Sequence, residues 1–469
     1  MQPAVMDPPP DRRPAPPGSP RVRRPSLRPP AKGGGARRLL TLAFWAGVAG
    51  CVAIWWFNTP AGSVDGAGAA LTEAGRVTGM VAGYVLLIQI LLMTRVGWLD
   101  RILSANNIVL LHRDLGGMLV TVVLAHAASL IVGYSIMDGS SLWGETTNVL
   151  STFPDMISAF VATGVLVGIG LLAIRRVRAV LPYEVWYRLH LTSYLVLILG
   201  YGHQFAAGRD LSQPGWARTM WLALYLFVIA CFVWGRLINL LRLNLRHRLR
   251  IAEVVPEGAD MFSIYIQGRR LEELNARAGQ FFRWRFMARH CWTQAHPFSL
   301  SAAPNERWLR LTVKAVGEHT AQLRWLNPGV RVIASGPSGA FTADQRIRHR
   351  ALLIAGGSGI APIRALLEDL PRGTIVVYRA SSHEDLVFKG ELDWLADERD
   401  AIIHYVIGGR DDPGPRTVMS PRGLRRLVPD AVRRDVYLCG PEGLVTHAVT
   451  LLRRLHVPRR QIHLDPFEF

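Results

Sequence analysis

Six apolar stretches crowd the chain before residue 241, each close to the ~20 residues that a helix needs to cross a bilayer. They fall near residues 39–57, 75–93, 108–137, 157–174, 185–205 and 216–240. A backbone inside hydrocarbon must satisfy its own hydrogen bonds, so the first half is expected to be an all-α bundle of six transmembrane helices. The connections alternate in charge. Arg95, Arg101, Arg175, Arg176 and Arg178 lie between spans two and three and between spans four and five, and Arg242, Arg246, Arg248 and Arg250 follow span six. The opposite connections, 58–74 and 138–155, carry no Lys or Arg, and 204–215 has only Arg209. The positive-inside rule then places the N- and C-termini in the cytoplasm and the chain in the plasma (inner) membrane as a multi-pass protein.

The formal net charge of +19 belongs to the same picture. Its Lys and Arg cluster beside hydrophobic spans, where topology and contact with membrane lipid account for them, so nucleic acid is not an expected partner. Residues 1–38 are rich in Pro, Arg and Gly and read as a disordered basic cytoplasmic tail. The four cysteines are scattered, which argues against a disulfide framework, and no CxxCH occurs.

After residue 241 the pattern changes to that of a soluble protein. Short alternating runs at 262–267, 281–286, 309–315 and 330–333 predict an antiparallel β-barrel domain over 245–345. From 346 to 469, strands at 351–355, 374–378, 402–407 and 436–438 alternate with helices near 361–370, 386–397 and 444–455, which predicts an α/β doubly wound parallel sheet. The fold class is thus a multidomain membrane protein, with the helical domain at 39–241.

Four histidines stand inside the apolar spans. His112 and His126 lie 14 residues apart on the third, and His190 and His203 lie 13 apart on the fifth. At 1.5 Å per residue these steps cover roughly 21 and 20 Å. A lone histidine in a span is as readily a packing residue as a ligand, but ionisable residues there are rare and two matched pairs point to metal ligation. Imidazoles suit the axial positions of heme iron, pairing His112 with His190 and His126 with His203. A step of 14 leaves two side chains about 40° apart on a helix, whereas a step of 13 leaves them about 140° apart. The fifth helix is therefore expected to distort, and Gly200 and Gly202 mark the expected place.

The run from His112 to His126 (HRDLGGMLVTVVLAH), with a second histidine pair in the fifth of six spans, resembles the ferric reductase/NADPH oxidase superfamily, here a bacterial member. Arg76 is similar to an arginine that in oxidases of the family helps form an oxygen site; the alternative is an interfacial arginine meeting lipid headgroups. The soluble half carries further matches. Gly279-Gln280-Phe281-Phe282 is a strand entry found in many barrels. His296-Pro297-Phe298-Ser299-Leu300-Ser301 resembles the family's flavin motif, in which the aromatic packs on the isoalloxazine and a hydroxyl bonds its reactive edge. Lys314, Gly317 and Thr320 resemble the segment that approaches the flavin pyrophosphate. Gly336 to Gly339 follow, with Ser338 standing where relatives often have an aromatic. Gly356-Gly357-Ser358-Gly359 and Pro362, after a strand, resemble a nicotinamide-nucleotide loop. Arg379 and Ser381 stand where a 2′-phosphate would be held. Cys439-Gly440-Pro441 resembles the second nicotinamide contact, and Phe467 and Phe469 are both candidates for the aromatic that covers the flavin.

The resemblance implies an enzyme, an NAD(P)H-dependent FAD/heme oxidoreductase with FAD, two b-type hemes and NADPH (or NADH). Electrons would pass from cytoplasmic NAD(P)H to an extracytoplasmic acceptor: oxygen, giving superoxide, or ferric iron as a chelate. The alternative is a carrier subunit that reduces a redox partner protein in the periplasm or membrane.

Overall fold

The computed structural model describes residues 34–465, apart from 104, 290 and 410. It divides into a helical unit ending at Leu241 and a second unit starting at Arg242. Most of the expected tail lies outside the described residues, but its last residues are already helical, because α1 spans Gly34–Asn58.

The helical unit continues with α2 (Gly66–Leu92), α3 (Ala105–Asp138), α4 (Leu142–Thr152), α5 (Met156–Leu172), α6 (Tyr183–Leu191), α7 (Ser193–Ala206) and α8 (Trp216–Val233). A π-helical turn at Trp234–Ile238 joins α8 to α9 (Asn239–His247). The central element is α2. Its Met80, Val85, Leu87 and Ile90 are buried with Leu166 and Ile169 of α5 and Trp221, Tyr225 and Val228 of α8. Against α3 it packs by its small residues. A Cβ on Gly75 would lie 2.7 Å from Leu130, and one on Gly79 would lie 2.6 Å from the His126 ring. Small residues at such positions let two backbones close on each other, which is how helices gain packing energy where lipid offers no hydrophobic drive.

The described helices account for the six expected spans only in part, and two local expectations are corrected. Four described helices are long and apolar enough to cross a membrane, or five if α4 and α5, bent by 118°, form one broken span. The stretch at 142–152, expected as a loop, is helical: Ser141 caps it, accepting from the Gly144 amide at 3.1 Å. The fifth stretch is broken at Thr192, two residues after His190, rather than at Gly200–Gly202. There the Thr192 amide and hydroxyl both bond the Leu189 carbonyl, at 3.1 and 2.7 Å, a tight turn in which the side chain competes with the helical ladder. Gly202 has another task. It lies under the Asp155 carboxylate, which a Cβ there would approach to 2.7 Å.

The second unit opens with two three-stranded antiparallel sheets. One has the order β1–β2–β5 (Arg250–Pro256, Met261–Gln267, Leu309–Lys314) and the other β4–β3–β6 (His296–Ser299, Phe281–Phe286, Val332–Ser338). Their inner faces bury Phe262, Ile264, Ile266, Leu309, Leu311, Phe282, Trp284 and Phe286. After the short α10 (Glu318–Gln322) comes a five-stranded parallel sheet of order β11–β10–β7–β8–β9. Its strands are β7 (Arg350–Gly356), β8 (Ile375–Ala380), β9 (Ile402–Ile407), β10 (Arg434–Cys439) and β11 (Ile462–Asp465). Leu353 and Ala355 of β7 face α11 (Ile360–Asp369), while Leu352 and Ile354 face α13 (Glu442–Arg454). Both faces are covered, which is why these strands read as unbroken apolar runs.

The barrel and the parallel sheet are joined through β5, whose residues are buried on both faces. Arg310, only 2% exposed, turns away from the barrel core and binds Glu391 of α12 (Lys389–Arg399) with two nitrogens, at 2.8 and 3.0 Å. Arg364 of α11 binds the same carboxylate at 2.8 Å. Burial alone would raise the Glu391 carboxyl, but Arg364 and Arg310 outweigh it and hold it below the ordinary range. A depressed carboxylate stabilises the fold above its unfolded value, and that contribution is lost as pH falls through the folded value. Glu391→Gln should therefore cost about 3 kcal/mol, the low end for a broken buried pair because water reaches Glu391. The difference in melting temperature between wild type and variant should shrink as pH falls below about 4.

Candidate functional site

The two histidine pairs come from α3 on one side and from α6 and α7 on the other. The ring centroids of His112 and His190 are 5.9 Å apart, with planes nearly perpendicular at 80°. Two imidazoles each about 2 Å from a shared metal would stand roughly this far apart. Trp186, one helical turn before His190, stacks on it at 5.0 Å. The carbonyl of His112 accepts from Gln89 of α2 at 2.9 Å. In the second pair, His126 Nδ1 lies 2.7 Å from the Gly75 carbonyl. A carbonyl can only accept, so Nδ1 carries the proton and Nε2 presents its lone pair. His203 lies within electrostatic reach of His126 and of Asp155. His112 Nδ1 and His203 Nδ1 are buried without a hydrogen-bond partner. An orphaned ring nitrogen is costly unless something absent from the protein satisfies it, so the residues present fit a group held between the helices. Among the described residues no cluster of three or more His, Cys, Asp or Glu could hold a bare metal ion.

Arg76, about three turns into α2, does not face open space. It binds Asp210 with two nitrogens at 3.1 and 2.5 Å, Glu73 at 2.5 Å and the Thr59 hydroxyl at 3.3 Å, and its side chain is 8% exposed. Trp55 donates to Glu73 at 2.7 Å, and Arg209 stands 3.8 Å from the same carboxylate. Glu73 and Asp210, both missed by sequence reasoning, complete a buried cluster around the guanidinium.

In the second unit, the strand order reverses between β7 and β10, and the crevice outside their C-terminal ends is where such sheets bind ligands. The loop Gly356–Gly359 and the turn after Cys439 meet there. A Cβ on Gly359 would lie 2.2 Å from the Cys439 carbonyl, and one on Gly356 would lie 2.4 Å from Leu444. Ser358 is half-buried in this loop, and Pro362 is buried in the first turn of α11. The amides that open α11 attract phosphate, while Gly440 and Pro441 lead into α13.

This crevice reaches the flavin motif through a residue that sequence reasoning did not single out. Asp465, the last residue of β11, accepts from the Ser299 hydroxyl at 3.3 Å, while its backbone carbonyl accepts from the Cys439 thiol at 3.3 Å. Burial pushes the Asp465 carboxyl up to about 7, against the opposing bond from Ser299. Burial and then the nearby Asp465 push the Cys439 thiol well up, so it stays protonated. No local sequence signal marks Asp465, because its partners lie 166 and 26 residues away.

The motif itself is strand β4, paired with β3 so that Phe298 faces Phe282 and Pro297 faces Arg283. Trp284 fixes it by donating to the Phe298 carbonyl at 3.0 Å, and the rings of His296 and Phe298 stack at 5.7 Å. Burial, with His319 nearby, lowers the His296 imidazole. Ser301 turns inward: it is fully buried and accepts from Arg310 at 3.1 Å and from Thr312 at 2.7 Å. Lys314 pairs with Asp260 at 3.1 Å. The Thr320 hydroxyl accepts from the Val316 and Gly317 amides, ordering that loop from within. Gly336 and Gly339 have positive φ and pass close to Phe282 and Phe281.

Arg379, at the end of β8, donates to the carbonyls of Ala380, Val406 and Gly409 at 2.6, 3.1 and 2.7 Å, so its guanidinium is anchored beside the exposed Ser381. Phe467 and Phe469 lie outside the described residues.

Comparison with known proteins matches three successive segments of the chain. Residues 78–201 match the ferric reductase like transmembrane component, 246–341 an FAD-binding domain, and 353–450 the oxidoreductase NAD-binding domain. The ferredoxin reductase component of 3-ketosteroid-9-alpha-monooxygenase from Mycolicibacterium smegmatis is 29% identical over 237 residues, 47% of this chain and 65% of that protein. Human Dual oxidase 2 is 28% identical over 193 residues, 36% of this chain and 12% of that protein. This chain thus spans less than two thirds of the length of either relative. Among solved structures, the FAD/NAD-binding domain of nitric oxide dioxygenase from Vibrio cholerae matches with 22% identity and a TM-score of 0.40, covering 46% of this chain and 97% of that one. A ferric-reductase-like transmembrane component followed by FAD- and oxidoreductase NAD-binding domains is the order that the ferric reductase/NADPH oxidase superfamily would give, and this chain is similar to such proteins in all three parts.

Proposed function

We propose that the chain moves electrons from cytoplasmic NAD(P)H through FAD and two b-type hemes to an acceptor on the other side of the membrane, either oxygen, yielding superoxide, or chelated ferric iron. The observation that carries this reading is the pair of facing imidazole sets on α3 and α6–α7, two of whose buried ring nitrogens lack any partner in the protein. When bound, these groups supply hydride acceptance and single-electron relay; the protein supplies position and electrostatics.

The contribution of each residue follows from its setting. His112 and His190 would hold one heme, and His126 and His203 the other, leaving no iron position for oxygen. Gly75 sets the His126 tautomer and Gly79 leaves room for its ring. Gly356 to Gly359 and Gly440 shape the nucleotide crevice, and Cys439, protonated and buried at its edge, would contribute a neutral wall to a bound nucleotide. Ser299 and Asp465 join the flavin motif to that crevice. The arginine distribution described above supports cytoplasmic termini and hence a cytoplasmic reductase unit.

The purified full-length protein should show two low-spin b-type hemes in its reduced-minus-oxidised spectrum. His126→Ala should lose one of them, and unchanged heme content in that variant would exclude the ligand assignment. NADPH oxidation with oxygen as sole acceptor should yield superoxide; turnover that appears only when ferric chelate is added would select the ferric acceptor.

The raised carboxyl of Asp465 stabilises the fold at low pH, and the contribution is lost as pH rises through about 7. Scanning calorimetry should therefore show wild type losing stability relative to Asp465→Asn between about pH 4 and pH 7. Arg379→Ala should lower kcat/KM for NADPH about tenfold relative to NADH, the size of one charge-assisted contact. An equal loss with both nucleotides would instead assign Arg379 to its carbonyl bonds alone.

A further inference from the structure

A cavity of about 630 Å³ lies at the end of the barrel away from the Lys314–Thr320 loop, lined by Arg248, Arg250, Arg269, Arg307 and Arg331 and by no carboxylate. In the antiparallel pairing of β2 and β5, Ile266 lies opposite Leu309 and Met261 opposite Lys314. Gln267 and Arg307 therefore stand at one end of the sheet and Lys314 at the other, at least about 20 Å away along the strands. The cavity is thus separate from the segment assigned to the flavin pyrophosphate.

Its charge is uncompensated. Arg250 faces Arg331 across an isolated antiparallel bridge, and like charges directly opposite destabilise a sheet. The nearby Glu273 is already taken by Arg246. Among the described residues none of the five arginines pairs with an acidic group; Arg250 donates to the Gly329 carbonyl at 2.8 Å. All five are exposed to solvent around the cavity. Repulsion of this kind persists at a cost in stability, which a bound polyanion would offset.

We propose that this cavity binds a phosphate-bearing anion. Guanidinium forks match phosphate oxygens two at a time, and the volume suits a small ligand or a lipid headgroup. Two sources share that chemistry. The helical run Trp216–His247, long and apolar enough to cross a membrane, ends one residue before Arg248, which brings a phospholipid headgroup within reach along the chain. A soluble phosphate ester would use the same forks. The proposal is independent of the redox reading.

The test uses the full chain in two arms. In detergent, inorganic pyrophosphate is titrated by calorimetry; in nanodiscs, the melting temperature is compared between pure phosphatidylcholine and a mixture with phosphatidylglycerol. Wild type should bind pyrophosphate or be stabilised by the anionic lipid. Arg269→Gln/Arg331→Gln should weaken the response by about tenfold for each arginine removed. Arg307→Gln should weaken it alone, which keeps the test open should the double variant fold poorly. Arg422→Gln/Arg425→Gln removes the same charge from exposed positions elsewhere and should leave the response unchanged. A pyrophosphate response identifies a soluble ligand, and a response to phosphatidylglycerol alone identifies a headgroup. Equal behaviour of the cavity and control variants in both arms overturns the proposal.

Discussion

The close approach of α2 and α3 is the constraint on which the helical unit depends. Glycines 75 and 79 remove the side chains that would hold the helices apart, and the backbone carbonyl thus bared meets the His126 ring at 2.7 Å. One packing decision therefore fixes helix spacing, imidazole tautomer and ring orientation together. A larger residue at either position would disturb all three. The same economy appears at the Thr192 turn, where one hydroxyl bonded to Leu189 ends α6 and lets His190 and His203, which an unbroken helix would point about 140° apart, both turn toward α3.

In the second unit the corresponding role falls to ion pairs. Arg310 and Arg364 grip one carboxylate, and Ser301 and Thr312 satisfy what remains of the Arg310 fork and its surroundings. A buried guanidinium held this way contributes little net stability compared with apolar packing, but it permits few alternative arrangements of barrel against parallel sheet. The crevice between β7 and β10 and the flavin motif on β4 are both attached to elements that this pairing ties together. Asp465 then reaches both.

Much of this was legible from pattern. The parallel strands are buried on both faces and therefore announce themselves as apolar runs; 402–407 was placed to the residue. Strand β4 was not, because its Pro and His break any alternation, and β11 is only four residues long. The helix at 142–152 was missed since its Thr, Ser and Asn read as loop, while its cap and burial of Glu145 and Val149 are visible only in three dimensions. Among site residues, local motifs were found and distant partners were not. Asp465, Glu73 and Asp210 are defined by neighbours far along the chain. The distortion needed between His190 and His203 was foreseen from helical geometry, but glycine was credited with it when threonine was responsible.

The cluster around Arg76 has an electrical consequence. Two arginines, 76 and 209, face two carboxylates, Glu73 and Asp210, so the formal charges cancel. A single elementary charge moved through a membrane field of 100 mV exchanges about 2.3 kcal/mol with it. A neutral quartet offers that field only a compact dipole. Whatever voltage builds across the membrane thus exerts almost no net pull on this cluster, so the contacts that tie the Arg76 turn of α2 to Asp210 carry no net charge for that field to act on.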